Sequence, residues 1–525
     1  MLNIALHQEF ARKKFERQLI LHRVAENQYI DFPDVVHAEY LDLMKGNIPY
    51  FTYQVGKSDI YDSNGESLEK SKIVPFTTEL TGKINEFSKK DLDMQLQYID
   101  NSYLTKRNQA DFTHIDWNVY ENKLKPNQWL KTAVSIGEYI GENAIEGTNA
   151  RGNQDLAWIC VTLQGFEEDV WLPSVLGHDF YSGNAGIAYY FAYLYKITQK
   201  KCFLKSAREA AEIPIMLLDR KYIDKNSMLG AFIGISGSLY MLDSLAQVTG
   251  DAELRKTTED YLFSFEDLIP YDKGNDVISG LAGYLAVALK LAETSKRKRE
   301  FDVLITRIVD QLLQNAVAEG DHIYWNCMTG KHYCGFSHGN AGIHTYLYLA
   351  MQYLGETKWD EIMQNSLNYE RFCFDRNTKN WFRSDTERFT SSAWCHGAPG
   401  ILLSKLILYN AGYSEKYLLE EMKTALNLTK QLGFGNNPTY CHGDLGNMAI
   451  LNYAGKTLGD FGLCNQTTHM FQQLYQQTLS SEWRNRNFKS CNTYGLMVGL
   501  SGWGYSMLSH YADFDDALPE FLWLS

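Results

Sequence analysis

From Gly183 onward the apolar residues come in runs of helical length, and each run follows the same short signal, Gly-x-x-Gly. The pairs are Gly183/Gly186, Gly234/Gly237, Gly280/Gly283, Gly339/Gly342, Gly397/Gly400, Gly443/Gly446 and Gly499/Gly502. Subtraction gives first-glycine spacings of 51, 46, 59, 58, 46 and 56, enough for two helices and two loops per unit. Repetition at this scale outranks local propensity in assigning a fold. The runs IAYYFAYLYKI from Ile187, YLAVALKLAE from Tyr284, IHTYLYLAMQYL from Ile343 and ILLSKLILY from Ile401 are apolar nearly all round. Such helices need burial on several faces, so seven of them predict an inner ring. Ala207 to Leu218, Ala252 to Phe265 and Phe301 to Ala316 mix charged with apolar positions and read as covering helices, with Pro214 falling inside the first. The fold class is therefore all-α, an α/α toroid of about seven helical hairpins.

The first 120 or so residues follow another pattern. They are polar, lack the glycine signal, and carry the charged run Glu66 to Lys72. Glu39 to Lys45 reads as a helix end, Gly46 to Phe51 as a turn into an extended segment, and Leu80 to Tyr103 as one amphipathic helix. Such a block buries little core alone. We divide the chain into a short α+β segment, 1–123, and the toroid, 124–525.

Composition narrows the function. Fifty Lys and Arg against 63 Asp and Glu give a net charge of −13, which argues against nucleic acid as a partner. The N-terminal MLNIALHQEFARKKFERQ lacks a signal peptide's apolar run, and Leu229 to Val248 contains too many polar residues for a membrane span. Nine cysteines without dense spacing fit reduced thiols in a cytoplasmic protein.

Three repeats carry chemistry that packing does not require: Ser337-His338-Gly339, Trp394-Cys395-His396-Gly397 and Tyr440-Cys441-His442-Gly443. Each of these residues alone is an ordinary core cysteine or histidine. Their recurrence at matching repeat positions places Cys395, Cys441 and His442 at one end of the ring. Two thiolates and one imidazole suit tetrahedral zinc and leave a fourth position open for chemistry. A rival grouping of His332, Cys334 and His338 is interrupted by Gly335.

The motifs GFSHGNAGI, SAWCHGAPGI and YCHGDLGN give residues 124 to the C-terminus a resemblance to the lanthionine synthetase C-like cyclases. LDLMKGNIPYF, from Leu41, resembles the last part of the dehydratase domain that precedes the cyclase in class II lanthipeptide synthetases. The resemblance implies zinc on Cys395, Cys441 and His442, His338 as catalytic acid/base, Asp276 of NDVISGLAG beside it, and His396 as a further site residue. It implies addition of peptide cysteine thiols to dehydroalanine or dehydrobutyrine, with a dehydrated, cysteine-containing precursor peptide as partner. No Gly-rich phosphate loop or kinase-like Lys/Asp pair is seen, so dehydration is expected from a separate dehydratase half. The chain then reads as a C-terminal fragment or the product of a split gene. Two other readings stand beside the cyclase. One is a non-catalytic scaffold binding thiol, glutathione or peptide; the other is a glycosidase-type toroid using two of Asp179, Asp276 and Asp444.

Overall fold

The computed structural model describes residues 33–45, 47–73, 75–104, 126–149, 151–164, 170–219, 222–356, 360–435, 437–479, 493–512 and 518–524. Contacts divide the chain into Met1–Leu96 and Gln97–Ser525. The boundary expected at residue 123 lies outside the described residues.

The first unit begins with helix α1 (Pro33–Lys45) and a small antiparallel sheet, β1 (Thr52–Tyr53), β2 (Asp59–Tyr61) and β3 (Ser67–Lys72), in the order β1-β2-β3. The charged run contains β3, which lies at the edge of this sheet. Ala38, Ile60 and Leu68 form the small core, packed by Val35, Phe51 and Ile73. The single helix expected over Leu80 to Tyr103 is two, α2 (Phe76–Glu86) and α3 (Lys89–Leu104). Phe87 turns extended, with ψ 122°. Ser88 then donates through N–H and hydroxyl to the Asp91 carboxylate at 2.8 and 2.5 Å, and the Asp91 N–H returns to Ser88 Oγ at 3.3 Å. This reciprocal cap starts a new helix where apolar periodicity alone suggested continuity.

The second unit is the toroid. Its inner helices are α5 (Asn184–Thr198), α7 (Ile235–Thr249), α9 (Leu281–Ala292), α11 (Asn340–Leu354), α13 (Ala398–Asn410), α15 (Asp444–Leu458) and α17 (Leu500–Ala512). Each starts directly after the first glycine of a pair. Between them lie α6 (Lys201–Leu217), α8 (Ala252–Ser264), α10 (Lys298–Asn315), α12 (Asp360–Phe372), α14 (Leu418–Leu432) and α16 (Phe461–Leu479); α4 (Pro126–Glu142) packs outside α17. Inner helices pack on their neighbours through α15, and α17 closes on α5. Leu281 to Ala288 of α9 are all buried, whereas α10 buries one stripe, Phe301, Leu304, Ile305, Ile308, Val309 and Leu312. Each fully buried Leu or Ile contributes about 1.5–3 kcal/mol relative to exposure. Among the described residues, the chain between the helices forms four hairpins: β4 (Ile145–Thr148) with β5 (Gln154–Ala157), β6 (Ile159–Gln164) with β7 (Val170–Val175), β8 (Val317–Glu319) with β9 (His322–Tyr324), and β10 (Phe374–Asp375) with β11 (Asn380–Trp381). No described helix is long and apolar enough to cross a membrane.

The second glycine of every pair has a steric reason. A Cβ there would lie under 3.0 Å from the carbonyl oxygen six residues earlier: Phe180 for Gly186, Ala231 for Gly237, Val277 for Gly283, Phe336 for Gly342, Trp394 for Gly400, Tyr440 for Gly446 and Leu496 for Gly502. The missing side chain lets each loop fold down onto the first turn of its own helix.

That contact distinguishes two kinds of helical glycine. Gly342→Ala drives a Cβ into the Phe336 carbonyl and to 2.7 Å from Val277 Cγ2, and should cost about 1–3 kcal/mol. Gly141→Ala in α4 meets nothing within 4 Å and should be neutral or stabilise by up to about 1 kcal/mol. Urea unfolding of both variants checks the pair.

Candidate functional site

The loops preceding the inner helices meet along one rim, and their backbones are tied in sequence. The Phe180 and Tyr181 N–H groups donate to the Phe232 carbonyl, Phe232 N–H to Ile278, and Val277 and Ile278 N–H to Ser337. Ser337 Oγ donates to the Cys395 carbonyl at 3.3 Å. Further round, Tyr440 and Cys441 N–H donate to Met497, whose own N–H returns to Tyr181. Tyr181, Phe232, Ile278, Ser337, Cys395, Cys441 and Met497 all stand two residues before a first glycine. The repeat thus puts Cys395 beside Cys441 although 46 residues separate them.

Cys395 Sγ, Cys441 Sγ and a His442 ring nitrogen lie within 4.8 Å of one another, with Cys441 Sγ 3.6 Å from His442 Nε2. Both cysteines are buried. Hydrogen bonding from Cys441, assisted by the His442 ring, holds the Cys395 thiol well below its ordinary range. A compact, buried, sulfur-rich donor set that favours thiolate suits a borderline-soft ion and leaves room for another ligand. Gly397, which closes the Cys395 loop, has φ +101°, and the Ala393 N–H donates to the His396 carbonyl at 3.1 Å. At this position the backbone itself needs glycine.

The rim encloses a cavity of about 570 Å³. Residues directly before the first glycines line it in six of seven repeats: Ser182, Ile233, Ser279, His338, His396 and His442. His338 Nδ1 sits 2.9 Å from Asp276 Oδ2. The other carboxylate oxygen accepts the Ser279 N–H at 2.7 Å and the Ser279 hydroxyl at 2.8 Å. A buried carboxylate held from both sides in this way fixes the imidazole and leaves Nε2 for the cavity. His396 stacks on His338 with ring centroids 5.6 Å apart, and burial pushes its pKa down to about 3. It stays neutral at physiological pH and contributes a flat wall; Tyr333 meets it edge-on at 5.1 Å.

All six residues singled out from sequence line one cavity. The rival grouping is dispersed: His332 pairs with Asp385 at 2.8 Å, and the Cys334 thiol donates to the Phe382 carbonyl. Asp444 accepts the Gly435 N–H and is not among the lining residues, so it offers no carboxylate for glycosidic chemistry. Cys202 is exposed, and Cys327 lines the cavity, its thiol 3.1 Å from Thr329 Oγ1 and pushed up by burial; Cys491 lies outside the described residues. Arg383 also lines the cavity, its Nε buried without a hydrogen-bond partner among the described residues. Cys327 and Arg383 sit on loops outside the glycine repeat, which is why the repeat did not reveal them.

A family profile described as lanthionine synthetase C-like protein matches residues 174–523. The chain is 22% identical over 537 residues to the Lacticin 481/lactococcin biosynthesis protein LcnDR2 of Lactococcus lactis subsp. lactis. The alignment covers 97% of this chain and 54% of that protein, so the chain spans about half the length of this curated relative. Among solved structures, nisin cyclase aligns with a TM-score of 0.55 and 17% identity, over 76% of this chain and 98% of its own, a likeness of fold.

Ser279 is the anchor of the Asp276 carboxylate. Ser279→Ala removes the 2.8 Å hydroxyl bond and should cost about 1–2 kcal/mol, because a buried acceptor loses a charge-assisted partner. Chemical denaturation measures the loss.

Proposed function

The chain belongs to the lanthionine synthetase C-like family, and from that premise we propose that it closes thioether rings in a dehydrated precursor peptide. The observation that carries this reading is one cavity lined by both the Cys395/Cys441/His442 donor group and the His338–Asp276 pair. The reaction adds a cysteine S–H across the Cα=Cβ bond of dehydroalanine or dehydrobutyrine, giving lanthionine or methyllanthionine.

The ion proposed for the donor group is zinc, held by Cys395, Cys441 and His442. Held there, zinc would supply the Lewis acidity that lowers the pKa of the peptide thiol, and the two protein thiolates would keep that sulfur electron-rich. The remaining steps belong to the chain's own side chains. Asp276 holds His338 by Nδ1, so Nε2 can receive the thiol proton and Asp276 stabilises the imidazolium that forms. The sulfur forms its bond at the β-carbon, and the π electron pair moves to the α-carbon and its carbonyl. His338 Nε2 then delivers its proton to the α-carbon, so the proton lost by sulfur is the one gained by carbon. The Arg383 guanidinium supplies positive charge for the transient enolate oxygen; its unpartnered Nε supports that role. Neutral His396 gives the peptide a flat, uncharged surface beside His338 and competes for no proton. Dehydration is assigned to the part of the longer relatives that this chain does not span, supplied by the same protein or by a partner. A passive thiol- or peptide-binding scaffold has no use for an oriented acid/base pair facing the donor group.

Two measurements test the proposal. His338→Ala should keep its metal and lower ring formation by about 10²–10⁴-fold, the usual worth of a positioned acid/base. Ring closure leaves peptide mass unchanged, so unreacted cysteines are counted by thiol alkylation; full cyclisation by this variant would sink the mechanism. Elemental analysis should find about one zinc per chain, and Cys395→Ala or Cys441→Ala should lose it, because two remaining donors form a poor site.

A further inference from the structure

The rim carries a second copy of the device that holds the acid/base residue. Asp276-Val277-Ile278-Ser279-Gly280 of the third repeat matches Asp179-Phe180-Tyr181-Ser182-Gly183 of the first: aspartate four places, and serine one place, before the first glycine. The two fold alike. Asp276 Oδ1 accepts the Ser279 N–H at 2.7 Å, and Asp179 Oδ1 accepts the Ser182 N–H at 2.7 Å and the Gly183 N–H at 3.2 Å.

They differ at the second oxygen. Asp276 Oδ2 is taken by His338, which stands one place before the first glycine of the following repeat. In the repeat following Asp179 the same place is Ile233, whose side chain offers no polar hydrogen. Asp179 Oδ2 therefore has no hydrogen-bond partner among the described residues. Space is kept beside it: a Cβ on Gly177 would lie 3.0 Å from that oxygen. Gly177, His178, Asp179 and Ile233 all line the same cavity as Cys395 and His338. Asp179 is also only half-buried, whereas Asp276 is 1% exposed.

Position around the ring adds a second argument. The donor group joins the fifth and sixth repeats; Asp276 lies two repeats from that joint in one direction and Asp179 two repeats in the other. A peptide chain whose reacting residue sits at the donor group enters and leaves along both sides of the rim. One side offers it a proton carrier. The other presents an unfilled carboxylate oxygen, the strongest neutral-amide acceptor a side chain provides.

We propose that Asp179 is a substrate-positioning residue, whose Oδ2 accepts a main-chain N–H of the peptide across the cavity from His338. This rests on the ring-closing reading for its substrate, but not for its test. Burial pushes the pKa of the His178 imidazole down and that of the adjacent Asp179 carboxyl up.

The test uses the full chain and a fluorescein-labelled synthetic peptide with one dehydroalanine and no cysteine, which cannot be cyclised. Asp179→Asn keeps an oxygen for the Ser182 cap and should weaken anisotropy-measured binding about tenfold, with the thermal midpoint unchanged. Ile233→His should also weaken binding, because by repeat position its imidazole reaches for the oxygen that the peptide uses. In turnover with a cysteine-containing peptide, the Asp179→Asn loss in kcat/KM should be carried by KM. Peptide affinity within twofold of the unsubstituted chain for Asp179→Asn overturns the proposal. A chain that binds the cysteine-free peptide but forms no thioether overturns the ring-closing reading instead, so the two failures are separable.

Discussion

Main-chain hydrogen bonds between successive rim loops are the constraint from which the rest of the toroid follows. They form only if each loop lies flat over the start of its own helix, and that approach is what the second glycine of each pair permits. Once the loops are tied, the inner helices are held by their N-terminal ends and must share one axis. The apolar side chains that fill the space between them then have a single way to pack, with the covering helices contributing one stripe each. Lys405 sits inside this packing, fully buried on α13, its Nζ 2.6 Å from Glu370 and 3.2 Å from Glu421. A charge in that position needs both carboxylates, because an unpaired buried ion costs several kcal/mol.

The ring, the positions of its inner helices and the three donor residues were legible because they recur with the glycine period. Where recurrence stopped, so did legibility. The break between α2 and α3 depends on Ser88 and Asp91 meeting across one turn, a two-residue event hidden inside a longer apolar pattern. Three of the four described hairpins between helices have strands of only two to four residues, too short to establish the alternation that marks a half-buried strand. Cys327 was not legible, since nothing in sequence distinguishes a thiol that faces a cavity from one that faces a core. Arg383 lies twelve residues before Cys395 on an irregular loop, where spacing carries no information about direction.

The pairing of His338 with Asp276 followed from family resemblance; the structure supplies the physical reason. Asp276 is held rigid by the serine of its own repeat before it meets the histidine of the next, so the imidazole inherits an orientation from two backbones. His396, from the equivalent place one repeat on, has no carboxylate to hold it and is buried, so the same residue type becomes a neutral wall. Two histidines in matching positions thus differ in chemistry only through what the preceding repeat offers them.

The rim also divides its labour in a way that bears on how such a protein can change. Main-chain atoms bind loop to loop at most of its joints, so the side chains directly before the first glycines are largely released from holding the ring together. Six of those seven positions face the cavity. Serine, isoleucine and histidine already share them on one backbone, so a new specificity can arise by exchanging residues at these addresses while the scaffold stays as it is.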